Sequence, residues 1–367
     1  MIGRRLLDLL RFDLLDRHVA RTFLASLGVV FLFFFGFFIV IDLFANAGEF
    51  VETAQKLSIG ARTMAGWVAG LYLYKSPAIF LQVAPFVTVI GAVVAVARLN
   101  RQNELVPVLM SGRSIFRLLR PVFVLAAVLT AMMLLVQEHV APAAADQRLA
   151  RACFLKDRRD TLLLKHAQFE DAAGRHWSSL ELEPISGRLV RAEVRRVSGE
   201  AYEIIDLADA TFDAARGGWT MAGGIPALIE EGGARHELRL ELLESDLTPA
   251  RIAAREKEPF DLSFADLGHL FAVTGEPRFE VLLHFHVTFP LANLLLLLLA
   301  LPFVLRYDRQ KVMQGFAVAF FLCLAYFGVD AALRTFGETR LHPILAAWFA
   351  PLFFGALGIS LFDGVRT

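Results

Sequence analysis

Between two long apolar segments lies the stretch Arg98-Leu-Asn-Arg-Gln-Asn103-Glu104-Leu105, followed at once by Met110-Ser-Gly112-Arg113-Ser-Ile-Phe-Arg117. It is too polar to lie in hydrocarbon and too short to fold as a domain. Its chemistry is that of ion pairing with another protein on one face of a membrane, not of bond making. One reading is a coupling helix that docks on a cytoplasmic partner, with Glu104 as the acidic contact and Arg113 orienting the segment. The other is a solvated loop that obeys the positive-inside rule, and composition alone favours that second reading.

Other chemistry-bearing residues are sparse. Asp42 and Asp330 lie near the ends of apolar runs, where the cost of a charge falls below the roughly 2.5–3.5 kcal/mol of a span centre. Asp330 and Arg334 are spaced i, i+4 and can pair. His284 and His286 are spaced i, i+2, which puts them on different faces of a helix and argues against a shared metal. Lys56, Arg62, Lys75, Arg334 and Arg340 form a basic set near one membrane surface. Such residues meet anionic lipid head groups or simply snorkel to water. Cys153 sits in a polar region and Cys323 in an apolar run, so a disulfide between them is not expected, and no CxxC is present. The sequence contains no Walker A loop, GxGxxG, HExxH or GxSxG, and neither a carboxylate pair nor a nucleophile–base set. Any ATP hydrolysis is therefore expected in a separate chain, and no cofactor or nucleic-acid partner is expected for this one.

The elements that must position these residues are long apolar helices. The chain has 367 residues, of which 56% are hydrophobic, more than the about 45–50% usual in soluble domains. Six runs reach the roughly 20 residues that a helix needs to span hydrocarbon. They cover about 22–45, 76–97, 118–137, 284–305, 312–334 and 342–362. The first is too long for a signal-peptide core and lacks a small-x-small end. Phe is abundant, as in Phe31-Leu-Phe-Phe-Phe-Gly-Phe-Phe38, and reads as lipid-facing bulk. Prolines 77, 85, 290, 302 and 351 fall in or beside the runs, where they can kink a helix. Arg4, Arg5, Arg11, Arg17 and Arg21 precede the first span, Arg98–Arg120 follows the second, and Arg306, Arg309 and Lys311 follow the fourth. That bias places both termini in the cytoplasm and residues 138–283 outside it.

The segment 138–283 changes period. Alternation in Leu180–Glu183, Leu189–Val197 and Leu238–Leu243, punctuated by Pro184–Gly187, Arg216–Gly218 and Gly223–Pro226, reads as a β-sandwich or jelly roll. Glu138–Asp160 extends the third span, and Asp261–Phe271 is an amphipathic helix with Ser263 as N-cap. Three domains are therefore expected. Residues 1–137 form an N-terminal transmembrane half, 138–283 an extracytoplasmic β-domain and 284–367 a C-terminal transmembrane half, a layout that suggests two packed halves.

Taken in order, several motifs carry a resemblance nearly end to end. Leu14-Leu-Asp-Arg17-His-Val19, Ile41-Asp42-Leu-Phe44, the prolines at 77 and 85, Leu99–Leu105 with Ser111-Gly112-Arg113-Ser114, Gln137-Glu138-His-Val-Ala-Pro142, Ala208–Trp219 and Leu345–Pro351 follow one another on the expected topology. This ordered set resembles the LptF/LptG permeases, the membrane subunits of the lipopolysaccharide exporter. The resemblance implies an α-helical membrane protein with six transmembrane helices (3+3) and an inserted periplasmic β-jelly-roll domain, in the bacterial inner membrane. It implies pairing with a sister LptF/LptG-type permease and docking of a cytoplasmic ABC ATPase (LptB-like) dimer. It further implies transfer of lipopolysaccharide to periplasmic jelly-roll proteins (LptC/LptA-like), a jelly roll with an open edge being suited to continuation by a partner's strand. Asn103, Glu104, Leu105, Gly112 and Arg113 then become the ATPase-coupling residues.

The chain departs from the family pattern at two points. His18 follows Arg17 where Tyr is usual, and Val29–Ile41 contains none of the basic residues that touch the phosphorylated head group in well-known members. Lys56, Arg62 and Lys75 are the residues able to compensate. The Leu-Asp-Arg opening and Ala47-Gly48 lean towards the LptG side. The alternatives are a mechanotransmission-type ABC permease, against which six spans with a central domain argue, and a non-transporting envelope-assembly scaffold, which would have no use for Glu104. A membrane hydrolase has no candidate residues.

Overall fold

Where water is excluded, a backbone can satisfy its own N–H and C=O groups only as a helix or a closed barrel. The apolar runs are helical accordingly. The computed structural model describes residues 13–56, 58–104, 107, 110, 114–157, 164–171, 173–183, 188–198, 201–231, 234–249, 252, 259–306 and 312–364. In chain order come α1 (Leu14–Lys56), α2 (Ala61–Arg101), α3 (Ile115–Leu135), a π-helical turn (Val136–Val140) and α4 (Ala141–Asp157). Strands β1 (Leu164–Glu170), β2 (His176–Glu183), β3 (Arg188–Ser198), β4 (Ala201–Asp213), β5 (Gly218–Thr220), β6 (Ile225–Glu231), β7 (Ala234–Leu240) and β8 (Leu243–Glu244) follow. A 3-10 turn (Pro259–Asp261), α5 (Phe264–Thr274), α6 (Pro277–Arg306), α7 (Val312–Thr339) and α8 (Pro343–Asp363) complete the described chain. Six of the helices are long and apolar enough to cross a membrane.

The helices outrun the apolar windows that announced them. α1 has 43 residues, about 65 Å at about 1.5 Å per residue, roughly twice the hydrocarbon thickness. Hydropathy marks only the part of a helix that must lie in lipid. α5 is the helix expected around Asp261–Phe271. Ser263 caps it, its Oγ accepting from the Asp266 N–H while an Asp266 carboxylate oxygen accepts from the Ser263 N–H, a reciprocal capping box.

The chain forms two compact units. The first comprises Met1–Ala45, Lys75–Ala143 and Pro259–Thr367, and the second comprises Asn46–Tyr74 and Ala144–Glu258. In the first, helices approach closely through small residues, as in other membrane helix pairs. A Cβ on Gly91 of α2 would lie 3.1 Å from the Leu27 Cα of α1, and one on Gly358 of α8 would lie 3.3 Å from the Leu299 N of α6. α2 is deeply packed, 78% of its most apolar stretch being buried within the chain, and it carries Pro77 and Pro85 inside it. Burial against protein is the setting in which backbone groups freed by proline are tolerated. Across the α3–α6 interface, the fully buried Asn293 donates Nδ2 to the Ala126 carbonyl at 3.2 Å and to the Thr130 Oγ1 at 2.9 Å.

The second unit holds an antiparallel sheet in the order β1-β2-β3-β4-β5-β8, with β6 paired to both β4 and β7. β4 is the branch point. Its start pairs with β6 through Tyr202–Ile205 and its end with β5 through Thr211–Asp213. Between the two ends Asp209 has φ 54°, a left-handed position that Asp tolerates better than most residues. The inward alternation slips there, from Ile205 and Leu207 to Ala210. The core gathers around Trp177 and Trp219, both fully buried, with ring centroids 6.3 Å apart.

Trp177 Nε1 donates to Asp171 Oδ2 at 3.2 Å. The buried Asp171 carboxylate also accepts from the N–H groups of Ala173 and Arg175, from Arg175 Nε at 2.7 Å and from Ser245 Oγ. Replacing Asp171 by Ala strands these donors and is expected to cost about 3 kcal/mol, since breaking a buried ionic network by removing one partner leaves the other groups unpaired. Thermal unfolding followed by tryptophan fluorescence on the full chain in detergent measures it. A shift no larger than that of a surface control would refute it.

Candidate functional site

α2 ends in a left-handed residue. Asn103 has φ 58°. Its N–H bonds the Asn100 carbonyl at 3.2 Å, and the Glu104 N–H bonds the Leu99 carbonyl at 3.0 Å. This is the Schellman arrangement, in which a left-handed residue turns the chain and satisfies the orphan carbonyls of the last turn. Asn suits the position because it enters the left-handed region at small cost. Leu99, one turn below, is buried in the core of the first unit. Arg98 and Arg101 sit in the last turn, where the negative end of the helix dipole favours cations.

Glu104 is thus fixed through its backbone to α2. Its side chain reaches α1, where Oε2 lies 2.8 Å from Nε2 of His18, 86 residues away. His18 adjoins Val19, which is buried in the same core. An exposed pair of this kind contributes little to stability, but it joins the ends of two helices at one acid. Ser114, the N-cap of α3, is extended (φ −70°, ψ 151°) and α3 starts at Ile115. Of the expected coupling residues, Asn103 and Glu104 are described, and Asn103 has a backbone task of its own. Leu105, Gly112 and Arg113 lie outside the described residues.

The basic set is dispersed into local pairs. Lys75 Nζ donates to both carboxylate oxygens of Asp42 at 2.9 Å, joining α2 to α1. Arg334 Nε lies 3.1 Å from Asp330 Oδ2, the i, i+4 pair expected, and its guanidinium stands over the Phe285 ring at 4.1 Å. Lys56 pairs with Glu52 one turn away. Arg62 and Arg340 are exposed. His284 and His286 face apart as their spacing requires. His284 Nδ1 accepts from Trp348 Nε1 at 3.4 Å, whereas His286 faces Glu138. Cys323 is a buried thiol, and the side chain of Cys153 lies outside the described residues. Among the described residues no three metal-binding side chains cluster.

Two arrangements escaped sequence reasoning. The first is the His18–Glu104 pair, whose only trace was the unusual residue at 18. The second is Arg151 of α4, whose guanidinium lies 5.4 Å from the Trp67 ring centroid and 5.1 Å from that of Tyr74. A side chain at Gly70 would overlap it. Trp67, Gly70 and Tyr74 share one face of α2 at i, i+3, i+7, and an aromatic–glycine–aromatic face of this kind was the available signal for a cation slot.

The C-terminal turn of α2 yields a direct test. Replacing Asn103 by Gly should leave the helix end intact, whereas Val is expected to cost about 1–2 kcal/mol, the left-handed penalty of an ordinary residue. Amide exchange at 99–104 in the full chain reads it, and equal exchange in both variants would remove the backbone role of Asn103.

No curated protein matches the chain. A protein-family model described as "Lipopolysaccharide export system permease LptF/LptG" matches residues 17–363. That match covers nearly the whole chain, including all six apolar helices and the antiparallel sheet in the middle. The chain therefore belongs to the LptF/LptG family of lipopolysaccharide export permeases.

Proposed function

We propose that the chain is one permease subunit of an ATP-driven exporter. It takes lipopolysaccharide from the inner membrane and passes it to a periplasmic bridge towards the outer membrane. Its partners are a sister LptF/LptG-type permease, a cytoplasmic ABC ATPase dimer and periplasmic jelly-roll proteins. Its own strands form a periplasmic jelly roll inserted between two three-span halves, with both termini cytoplasmic. The chain itself is not an enzyme.

The observation that carries this reading is Glu104, held by backbone bonds at the end of α2 and by His18 at the end of α1. A docking ATPase that grips Glu104 grips both helices. They differ greatly in restraint, since 78% of the apolar stretch of α2 is buried within the chain but only 6% of that of α1. Force applied at Glu104 therefore works against a fixed helix and moves the loosely packed one. Phe33, Phe37 and Phe44 stand exposed on α1, presenting an apolar wall to acyl chains or to the sister permease.

The head-group contacts follow from which basic residues retain uncompensated charge. Lys75, Lys56 and Arg334 spend theirs on neighbouring carboxylates. Arg62 and Arg340 are exposed, and among the described residues no carboxylate lies within ion-pair distance of either. They are the members of the set best placed to meet a phosphorylated head group.

Co-purification from native membranes in mild detergent, with mass spectrometry of proteins and lipids, tests the reading. The complex should hold a related six-span chain, a soluble ATPase and a phosphorylated glycolipid. Glu104→Lys should weaken ATPase retention by about tenfold or more, because like charges opposed across an interface cost several kcal/mol. Reversing both Arg62 and Arg340 should weaken glycolipid retention at least about fivefold, at about 1 kcal/mol per basic residue near an anionic surface. A wild-type complex with neither ATPase nor glycolipid, or a Glu104→Lys complex that keeps its ATPase, would turn the reading to a scaffold.

A further inference from the structure

Glu138 stands where the chain leaves its first three apolar helices for the strands. It lies on the π-helical turn Val136–Val140, which is flanked by ordinary helical residues, Leu135 (φ −65°, ψ −42°) and Ala141 (φ −66°, ψ −46°). The Ala141 N–H reaches back to the Val136 carbonyl, one residue further than in an α-helix. Single π turns of this kind are uncommon and recur at functional sites.

The Glu138 carboxylate also holds the segment by which the chain returns. Its Oε2 accepts from the Phe264 N–H at 2.9 Å across 126 residues. Phe264 opens α5, and its N–H is one of the donors that a helix start leaves without a partner. The capping box of Ser263 and Asp266 serves two neighbouring N–H groups, and Glu138 serves this one, with its charge at the positive end of the helix dipole. The same Oε2 lies 3.4 Å from Nε2 of His286 on α6, within ion-pair reach but off hydrogen-bond alignment. One side chain therefore ties exit, return and the fourth apolar helix together.

The interface beneath it is polar where an apolar one would pack at least as well. Asn293 and Thr130 bond across α3 and α6. Gln137 lies seven residues, two turns, beyond Thr130, and His286 lies two turns before Asn293, so both extend the same stripe. Gln137 is fully buried, and neither of its amide atoms has a hydrogen-bond partner among the described residues. The Oδ1 of Asn293 is in the same position. Buried amides without partners are costly, and each asks for an explanation beyond packing.

We propose that the π turn is a hinge between spans three and four and the segments leading to and from the strands, and that Glu138 is its positioning residue. The turn passes between π and α registers during the transport cycle. The change rotates Gln137 against the stripe of Thr130, Asn293 and His286, while Glu138 keeps exit and return moving as one. The proposal rests on the reading of the chain as a transport subunit.

The test uses the full complex with its sister permease and ATPase, reconstituted in vesicles containing lipopolysaccharide. Lipid released per ATP hydrolysed is the readout, because a merely structural residue would change assembly and hydrolysis instead. Glu138→Ala should lower that ratio about fivefold, leave hydrolysis within about twofold and speed exchange of the Phe264 amide about tenfold, the scale of one lost hydrogen bond. Glu138→Gln keeps an acceptor for Phe264 but not the charge at the start of α5, and should recover about half, not all, of the lost ratio. An unchanged ratio in Glu138→Ala overturns the proposal, as does parallel loss of assembly, hydrolysis and release in both variants. Should Glu138→Ala alone fail to assemble, Glu138→Gln decides, a reduced ratio supporting the hinge and a wild-type ratio overturning it. Wild-type complex that releases no lipid condemns the transport reading and not the hinge.

Discussion

A polar group placed among apolar helices must find its partner inside the protein, because lipid offers none. That constraint accounts for the helices themselves and for several polar pairs among them. Asp42 holds Lys75 with both oxygens, Asp330 holds Arg334 one turn away, and Asn293 bridges to Thr130 and to a backbone carbonyl. Each of these contacts offsets a cost, and the two that join different helices also fix their register. The strand-rich unit meets the same demand at Asp171, where five donors converge on one buried carboxylate.

Polar groups also stand at the irregular turns that end helices. Two glutamates have parallel constructions. Glu104 is pinned by a left-handed turn at the end of α2 and reaches His18, while Glu138 rides a π turn after α3 and reaches the start of α5. In both, an irregular backbone turn aims a carboxylate at a segment far away in sequence.

Membership of the LptF/LptG family gives these junctions a setting. Within this permease α2 is tightly packed and α1 largely unpacked against the rest of the chain. The departures from the family pattern fit the same economy. Where the first span lacks basic residues, Lys75 on the second already answers the acid at its end.

Much of this was legible in the sequence wherever the signal is local. Apolar length marked the six helices, because crossing hydrocarbon sets a minimum run. Ser263 announced the start of α5 and i, i+4 spacing announced the Asp330–Arg334 pair, because both depend on residues within one turn. Alternation marked β3 but could not foresee the slip at Asp209, where a left-handed residue moves the inward phase by one. The pairs Asp42–Lys75, His18–Glu104 and Glu138–Phe264, and the slot for Arg151, belong to the tertiary structure alone. They join residues from different helices, and which residues meet there depends on how each helix is rotated and slid against its neighbour. Hydropathy says that a helix avoids water, but packing at the crossing points decides which of its faces meets which.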